Sequence, residues 1–180
     1  MARLIFAMMQ SLDGYVSSPE SGPSLPLPDE KLGAHFNEEM ARITGSLYGG
    51  RMYEIMRFWD SPEAEHDEGG RGFALAWRAK PKWVVSKTLK SVGPNATLVT
   101  SDLESFVRKL KAEHQGDVEV AGPTLAGGLT ALGLIDEYQL YIQPVVLGGG
   151  KPFFSASRPP LRLVSSEEIG GTVRLRYVPA

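Results

Sequence analysis

Short apolar runs alternate with amphipathic segments along the whole chain, and several of the runs end in a corner rich in Gly, Ser or Thr. Residues 4–9 form a continuous apolar run, which is typical of a strand buried on both faces. Residues 82–86, 96–99 and 118–121 are further strand-like runs separated by helix-like segments. Because parallel strands need a crossover between them, this alternation predicts an α/β domain with a mostly parallel sheet.

The helix signals are clearest where an aspartate precedes apolar residues spaced about four apart. Residues 29–43 and 102–114 have this pattern, and residues 51–59 and 124–132 are predicted as further helices, the last with Gly133 just past its end. The segment 137–147 predicts one long strand interrupted by Pro144, and residues 60–72 predict a surface loop. Residues 162–166 and 173–178 predict a C-terminal antiparallel hairpin.

Composition limits the classes of protein that remain. The 180 residues suit one domain, residues 1–180, and the net charge of −2 argues against a nucleic-acid binder that relies on bulk positive charge. The absence of cysteine excludes disulfides, thiol nucleophiles and cysteine zinc sites. No apolar run approaches the roughly 20 residues of a membrane span. We therefore expect a soluble, cytoplasmic protein that acts on a small molecule, without a nucleic-acid or membrane partner.

Three of the strand-to-helix corners carry the candidate chemistry. They cover residues 48–52, 85–88 and 120–124. Ligands of open α/β sheets bind beyond the carboxyl ends of the strands, and helix N-termini suit phosphate oxygens. A tight turn explains any one of these corners equally well, and neither a dinucleotide G-x-G-x-x-G nor a P-loop occurs. Together, the three corners point to a phosphate-bearing ligand.

These corners belong to an ordered set of motifs. Residues 11–15 (Ser-Leu-Asp-Gly-Tyr), 47–54, 84–89 and 133–137 are followed by a Pro-Val-Val-Leu-Gly-Gly-Gly tail at 144–150. The set closely resembles the dihydrofolate-reductase-like superfamily, above all the reductase domain of the riboflavin-biosynthesis deaminase-reductase. The resemblance implies a three-layer α/β domain with a central mixed, mostly parallel sheet, helices on both faces and a C-terminal hairpin. It also implies NADPH as cofactor and a homodimer.

The resemblance assigns cofactor contacts to all three corners, and Lys87 is expected to favour the 2′-phosphate of NADPH over NADH. Gly50 stands where the family has Arg, so Arg51 is displaced by one residue, or about 100° around a helix. Either Arg51 swings back to the phosphates or cofactor affinity is reduced. The cofactor-binding candidates are Gly49, Gly50, Arg51, Met52, Ser86, Lys87, Thr88, Gly122, Pro123, Thr124 and Leu125.

The Gly122-Pro123 pair stands where the family has Gly-Gly. Because proline lowers the cost of a cis peptide bond, we predict a cis bond here, although a trans proline in the first turn of a helix fits the sequence equally well.

Four other groups of residues have weaker functional interpretations. Asp13 is the catalytic candidate, as a carboxylate that orients the substrate, and a simple Asp-Gly turn explains it equally well. The loop 17–28 is a candidate lid, Glu38 and Glu39 are expected to be solvated, and Trp59 and Trp77 are expected to be packing residues. His66-Asp67-Glu68 lacks a second histidine nearby, so no metal site is expected.

The sequence therefore favours an NADPH-dependent reductase that transfers a hydride to a pterin-, pyrimidinone- or flavin-like acceptor. The riboflavin pathway itself is less favoured, because the P-C-x-x-C half of the zinc-deaminase signature is absent. The alternative is a nucleotide-binding or dimeric protein of the same fold without turnover, which the glycine at position 50 and the lack of an obvious proton donor favour.

Overall fold

The computed structural model describes residues 1–19, 24–65, 68–155 and 158–180 as strands and helices that alternate along most of the chain. The strands are β1 Ala2–Gln10, β2 Tyr15–Ser17, β3 Gly45–Gly49, β4 Lys82–Val85, β5 Ala96–Val99, β6 Gly116–Ala121, β7 Glu137–Ile142, β8 Lys151–Pro152, β9 Leu161–Ile169 and β10 Thr172–Pro179. The α-helices are α1 Glu30–Arg42, α2 Gly50–Met56, α3 Glu68–Ala79, α4 Leu103–Glu113 and α5 Pro123–Ala131. Two 3-10 turns, Arg57–Asp60 and Pro62–Glu65, lie between α2 and α3.

Eight of these strands form one sheet in the order β5-β4-β3-β6-β1-β7-β10-β9, and β2 pairs with β8 in a separate ribbon. The neighbours from β5 to β7 run parallel, whereas β10 is antiparallel to β7 and to β9. The predicted α/β class, the mostly parallel sheet and the C-terminal antiparallel hairpin are confirmed.

Both faces of the sheet are covered by helices, because successive strand residues point to opposite sides. Leu47 and Val120 join a core with Val107 of α4 and Leu129 of α5. Their neighbours on the other face join a second core that includes Tyr48, Ala121, Met40 of α1 and Trp77 of α3. The sheet is therefore the middle of three layers, as predicted.

The aspartates predicted to begin helices do so. The side chain of Asp29 accepts the N–H of Leu32 at the start of α1, and that of Asp102 accepts the N–H of Ser105 at the start of α4. Gly133 follows α5 with a φ of 65°, a left-handed conformation that glycine adopts readily.

Two predicted segments were wrong. Residues 60–72 are not a loop throughout, because α3 begins at Glu68. Its glycines have low helix propensity, so the sequence pattern does not predict this helix. The helix forms because Ala74 and Trp77 bury one face against the sheet. The predicted strand 137–147 ends at Ile142. Pro144 cannot donate a ladder hydrogen bond, and the chain turns there to pair with the β1–β2 loop.

Candidate functional site

The three predicted corners lie side by side at one edge of the sheet. β3 is the central strand of the three, with β4 on one side and β6 on the other. The register places Gly49 opposite Val85 and Tyr48 opposite Ala121, so the strands end at the same level. The chain segments that follow them therefore converge beyond one edge of the sheet, where ligands of open α/β sheets bind.

The first two corners are in direct contact through Gly50 and Ser86. A Cβ placed on Gly50 would lie 3.1 Å from the Ser86 Cβ and 2.9 Å from its Oγ, and the second distance is shorter than real Cβ atoms allow. The Ser86 hydroxyl also accepts the N–H groups of Thr88 and Leu89, at 3.2 and 3.1 Å. Ser86 thus holds its own turn together, and only a glycine at position 50 lets α2 begin this close to it.

The third corner closes on the first from the other side. A Cβ placed on Gly122 would lie 3.4 Å from the Met52 Cβ, and one placed on Gly49 would lie 3.8 Å from the Leu125 Cβ. Three backbone corners therefore form one cradle, defined by residues 49–52, 86–89 and 122–125.

The Gly122–Pro123 peptide bond is trans, so the predicted cis bond was wrong. The turn is made by Gly122 itself, whose φ of 106° few other residues adopt. Pro123 then occupies the first turn of α5, where its fixed φ suits the helix and its missing N–H is not needed.

The two helices that begin at the cradle lack the aspartate caps found on α1 and α4. α2 and α5 follow the glycines Gly49 and Gly122, have no side-chain cap and carry no acidic residue in the first turn. By contrast, α1 and α4 have aspartate caps and a glutamate in the first turn. The first-turn N–H groups at the cradle are thus left without an acidic side chain of the protein, which suits an anionic ligand.

Polar and cationic side chains surround the cradle. Arg51, Lys87, Thr88 and Thr124 are all exposed on the segments that form it. They are placed where a ligand phosphate above the corners would attract the two cations.

The sheet is only partly covered next to the cradle, over the end of β1, and this open area is called the cleft below. Leu4 and Phe6 are at most 1% exposed, but residues 7–9 are only half-buried although strands flank β1 on both sides. Because neighbouring strands cover the two edges of β1, this exposure means that no helix or loop fully covers a face of the sheet at residues 7–9. Phe6 pairs with Val120, so the open part of β1 is level with the corner at Gly122.

Aromatic side chains form a wall on the α1 side of this cleft. Tyr141 of β7 pairs with Met9, and its ring lies 5.6 Å from the His35 ring and 5.0 Å from the Phe36 ring, measured between centroids. The sequence analysis did not identify His35 and Tyr141 as candidate site residues. They lie 106 positions apart, and no motif links an isolated histidine to a tyrosine in a strand. Tyr141 is buried, whereas His35 and Phe36 are half-buried, so these two rings supply the partly exposed aromatic surface, which suits a planar ring.

Asp13 lies at the turn after β1, and both of its carboxylate oxygens bind backbone. They accept the N–H groups of Leu147 at 3.0 Å and Gly148 at 2.7 Å. Hydrogen bonds from the Ser11 side chain and these two amides hold its pKa below the ordinary range. Asp13 therefore fastens the 145–150 segment to the end of β1, and its role in orienting a substrate stays a prediction.

The weaker sequence candidates have mainly structural positions. Trp77 is buried and donates to the Tyr48 hydroxyl at 3.1 Å, and Trp59 packs on Phe73. Glu38 is exposed as predicted, whereas Glu39 is half-buried and paired with Arg42.

Two of the predicted features lie partly outside the residues that the model describes. These are the lid interpretation, for positions 20–23, and His66-Asp67. Among the residues that the model describes, no cluster of His, Asp and Glu could hold a metal ion. Within the same residues, no helix is both long and apolar enough to cross a membrane.

Comparison with known proteins matches the chain to one family. The model of the RibD C-terminal domain matches residues 2–175. The uncharacterized protein YyaP of Bacillus subtilis (strain 168) is 28% identical over 181 residues, which cover 97% of this chain and 94% of YyaP.

Two solved structures share the fold. RibD of Acinetobacter baumannii superimposes with a TM-score of 0.75 at 17% identity, over 100% of this chain and 58% of that one. The diaminohydroxyphosphoribosylaminopyrimidine deaminase/5-amino-6-(5-phosphoribosylamino)uracil reductase of Thermotoga maritima has a TM-score of 0.69 at 17% identity, over 99% of this chain and 57% of that one. The chain thus spans less than two thirds of either protein.

Proposed function

The chain belongs to the RibD C-terminal domain family, and on that premise we propose that it is an NADPH-dependent oxidoreductase acting on a small planar heterocycle. The acceptor belongs to the pterin, pyrimidinone or flavin class. The observation that carries the proposal is the cradle of three backbone corners beside an open, aromatic-walled cleft.

The cradle fits a dinucleotide because the backbone itself can approach the phosphates. Gly50 and Gly122 stand at positions where a Cβ would collide with Ser86 or strain the turn. The uncapped N–H groups at the start of α5 point their partial positive charge at the same place. Lys87 and Arg51 add two cations at the rim, and Lys87 faces the 2′-phosphate in this proposal.

NADPH, when bound, supplies the hydride. The chain's own residues position the acceptor in the cleft over the end of β1, where residues 7–9 form the floor and the rings of His35 and Phe36, packed on the buried Tyr141, form the wall. Asp13 acts on the acceptor indirectly in this proposal, because its carboxylate holds the 145–150 segment beside this floor.

The pyrimidinone class has support from the relatives. The Thermotoga maritima protein carries a uracil reductase in its name, and the Acinetobacter baumannii protein is a RibD. Both are 17% identical to this chain, so the likeness supports the fold and leaves the acceptor to experiment.

Binding of NADPH and NADH to the purified protein, followed by tryptophan fluorescence, tests the proposal. We expect submillimolar binding of NADPH and a clear preference over NADH. Consumption of NADPH is then measured with dihydrofolate, a pyrimidinone and free flavin. Failure to bind either cofactor contradicts the proposal, and binding without turnover of any acceptor class supports the alternative of a nucleotide-binding protein.

We further propose that the protein acts as a homodimer and that β9 and β10 form the contact. Leu163 and Val173 are 50% and 42% exposed on the same face of this hairpin, and β9 is an edge strand. Pairing of two β9 strands about Ser165 in antiparallel fashion would place Arg162 opposite Glu168 of the second copy.

The mass in solution, measured by light scattering, tests this contact. We expect a dimer for the wild-type protein and a monomer for Leu163→Glu. Leu75→Glu is the control, because Leu75 is 54% exposed on α3 and should leave the dimer intact. A monomeric wild-type protein at micromolar concentration contradicts the homodimer.

A further inference from the structure

A polar cavity separates part of α1 from the sheet. Its volume is about 260 Å³, it lies between α1 and the strands β6, β1, β7 and β10, and every side chain that lines it is polar or charged except Ile5. Glu39 and Arg42 line it from α1, and Arg174 and Arg176 line it from β10. Charged groups, not a packed apolar core, therefore face α1 across this cavity.

The apolar packing of α1 is directed at the other half of the sheet. Met40 is buried and joins the core that contains Tyr48 of β3 and Ala121 of β6. Toward β7, the ring of Phe36 packs edge-on against that of Tyr141. The position of α1 over β7 and β10 thus depends on ring contacts with Tyr141 and on polar contacts.

The guanidinium of Arg174 on β10 bridges three other elements. Its Nη1 lies 3.2 Å from the His35 Nε2 and 3.7 Å from the Glu39 Oε1, both on α1. It also hydrogen-bonds the hydroxyl of Tyr141 on β7 and forms an ion pair with Glu167 on β9. The five N–H donors of an arginine can serve several acceptors at once. Arg174 therefore connects α1, β7 and the β9–β10 hairpin at a single point.

A second contact joins α1 to the same hairpin. The carboxylate of Asp29, which caps α1, also accepts the N–H of Gly171 at 3.3 Å. A Cβ placed on Gly170 would lie 2.1 Å from the Asp29 Oδ2, so the hairpin turn closes directly onto the start of the helix. The start and the middle of α1 are thus both attached to the hairpin, and the wall residues His35 and Phe36 lie in the stretch between these attachments.

We propose that Arg174 is a positioning residue that sets the distance between α1 and the sheet, and with it the width of the cleft. It holds the rings of His35 and Phe36 in place and acts on the acceptor only through them. The class of acceptor, a planar pyrimidinone-like ring, rests on the proposed function, whereas the position of α1 does not. Because Glu167 lies on the edge strand β9, the same guanidinium links the cleft wall to the proposed dimer contact.

Arg174→Met removes the guanidinium and keeps most of the side-chain length. Both carboxylate partners tolerate the loss, because Glu39 still pairs with Arg42 and the side chain of Glu167 is 45% exposed. We therefore expect the variant to fold. Arg108→Met is the matched control, since Arg108 forms an exposed ion pair within α4, on the other face of the sheet.

Distances between spin labels test the position of α1 without any ligand. The chain has no cysteine, so labels can be attached at Glu38→Cys on α1 and Glu54→Cys on α2, both exposed positions. Pulsed electron double resonance should give one narrow distance distribution in the wild-type background and a broader or shifted one with Arg174→Met. A pair at Glu54→Cys and Lys109→Cys, which leaves α1 unlabelled, should not change. An unchanged distribution between positions 38 and 54 in Arg174→Met overturns the proposal.

Arg174→Lys separates the charge of Arg174 from its bridging geometry. The ammonium keeps the positive charge, but a compact group cannot span partners on three elements. The pKa of His35, followed by NMR, reports the charge, because burial lowers this pKa first and Arg174 lowers it further, whereas Glu39, Glu167 and Glu38 oppose the shift. The pKa should rise in Arg174→Met and stay low in Arg174→Lys. An unmoved pKa in Arg174→Met overturns the contact between the two side chains.

Binding of 6-aminouracil, a pyrimidinone, to the NADPH-loaded protein tests the consequence for the cleft. We expect its affinity to fall roughly tenfold in Arg174→Met, to stay reduced in Arg174→Lys and to match wild type in Arg108→Met. The affinity for NADPH itself should stay within about twofold of wild type in all three variants. The reason is that Arg174 contacts α1, β7 and β9, outside the three corners of the cradle.

The outcomes separate this inference from the proposed function. A wild-type protein that fails to bind NADPH, or binds NADPH but not 6-aminouracil, contradicts the proposed function, and the label distances then decide the role of Arg174. Full 6-aminouracil affinity in Arg174→Met overturns that role at the cleft, and full recovery in Arg174→Lys overturns the bridging geometry. If Arg174→Met does not fold, the label distances and the binding of 6-aminouracil are measured in Arg174→Lys, where wild-type values for both overturn the proposal.

Discussion

Gly50 packs so closely against Ser86 that a Cβ at position 50 would lie 2.9 Å from the Ser86 Oγ. This contact joins the start of α2 to the turn after β4, two segments more than 30 residues apart in the chain. Since the Ser86 hydroxyl also accepts the N–H groups of Thr88 and Leu89, any displacement of it disturbs the whole 86–89 turn.

Gly50→Ala should therefore impair the cradle. The new methyl group pushes Ser86 aside, at an overpacking cost of about 1–3 kcal/mol that the better helix propensity of alanine offsets by ~1 kcal/mol. We expect NADPH affinity to fall about tenfold or more, measured by calorimetry. Gly33→Ala is the matched control, because a Cβ there meets no atom within 4 Å. Unchanged NADPH binding by Gly50→Ala would contradict the role of this contact.

Gly122→Ala should lower the free energy of unfolding. With a φ of 106°, this position costs a residue with a Cβ about 1–3 kcal/mol. Urea unfolding measures the loss, and Gly128→Ala in the middle of α5 provides the comparison. A Cβ at Gly128 has its nearest neighbour at 4.0 Å, so that variant should be as stable as wild type or more stable. Equal stability of the two alanine variants would show that the corner tolerates a side chain.

Lys87→Gln should reduce the preference for NADPH over NADH. The exposed ammonium gains a charge-assisted hydrogen bond only when the 2′-phosphate is present, and solvent screens part of it. We expect NADPH affinity to fall about threefold to tenfold while NADH affinity stays the same, with Lys90→Gln as the control for general loss of positive charge. A parallel decrease for both cofactors would remove Lys87 from the 2′-phosphate site.

Asp13→Asn should weaken the attachment of the 145–150 segment to the end of β1. It should also change how the free energy of unfolding falls at acidic pH. The pKa of Asp13 is lowered in the folded protein, so the unfolded chain binds the proton first as pH falls. Asp13 therefore stabilises the fold above its ordinary pKa of 3.8, and this contribution is lost as pH falls through the folded value. The variant should lose less stability between pH 5 and pH 3.

Hydrogen exchange reports the same contact locally. The amides of Leu147 and Gly148, which donate to Asp13, should exchange faster in Asp13→Asn than in wild type at pH 7. The amide of Ser105, held by Asp102 at the start of α4, is an internal reference. Equal protection of all three amides in the two proteins would contradict the fastening role.

The fold and the cradle could be predicted from sequence because their signals are local. The aspartates at positions 29 and 102 mark helix starts, and the glycines at 49, 50 and 122 mark the corners. Because the carboxyl ends of parallel strands lie at the same edge of a sheet, the three corners could be placed at one edge without coordinates.

The rest depends on contacts between distant segments. The helix α3 has three glycines in its first five residues, and burial of Trp77 stabilises it where propensity does not. The bond before Pro123 is trans and Gly122 has a positive φ, and neither conformation is specified by the Gly-Pro pair in the sequence. The hydrogen bond between His35 and Tyr141 joins residues 106 positions apart, and no local pattern in the sequence predicts it.

Backbone ¹H–¹⁵N correlation spectra recorded during titration with NADPH test the central claim most directly. We expect the largest shifts at the amides of the three corners, above all Gly50, Ser86, Thr124 and Leu125, with smaller shifts at residues 7–9 over the cleft. Binding of NADPH that leaves all three corners unmoved, or an absence of any shift at millimolar NADPH, would contradict the assignment of the cradle to the cofactor.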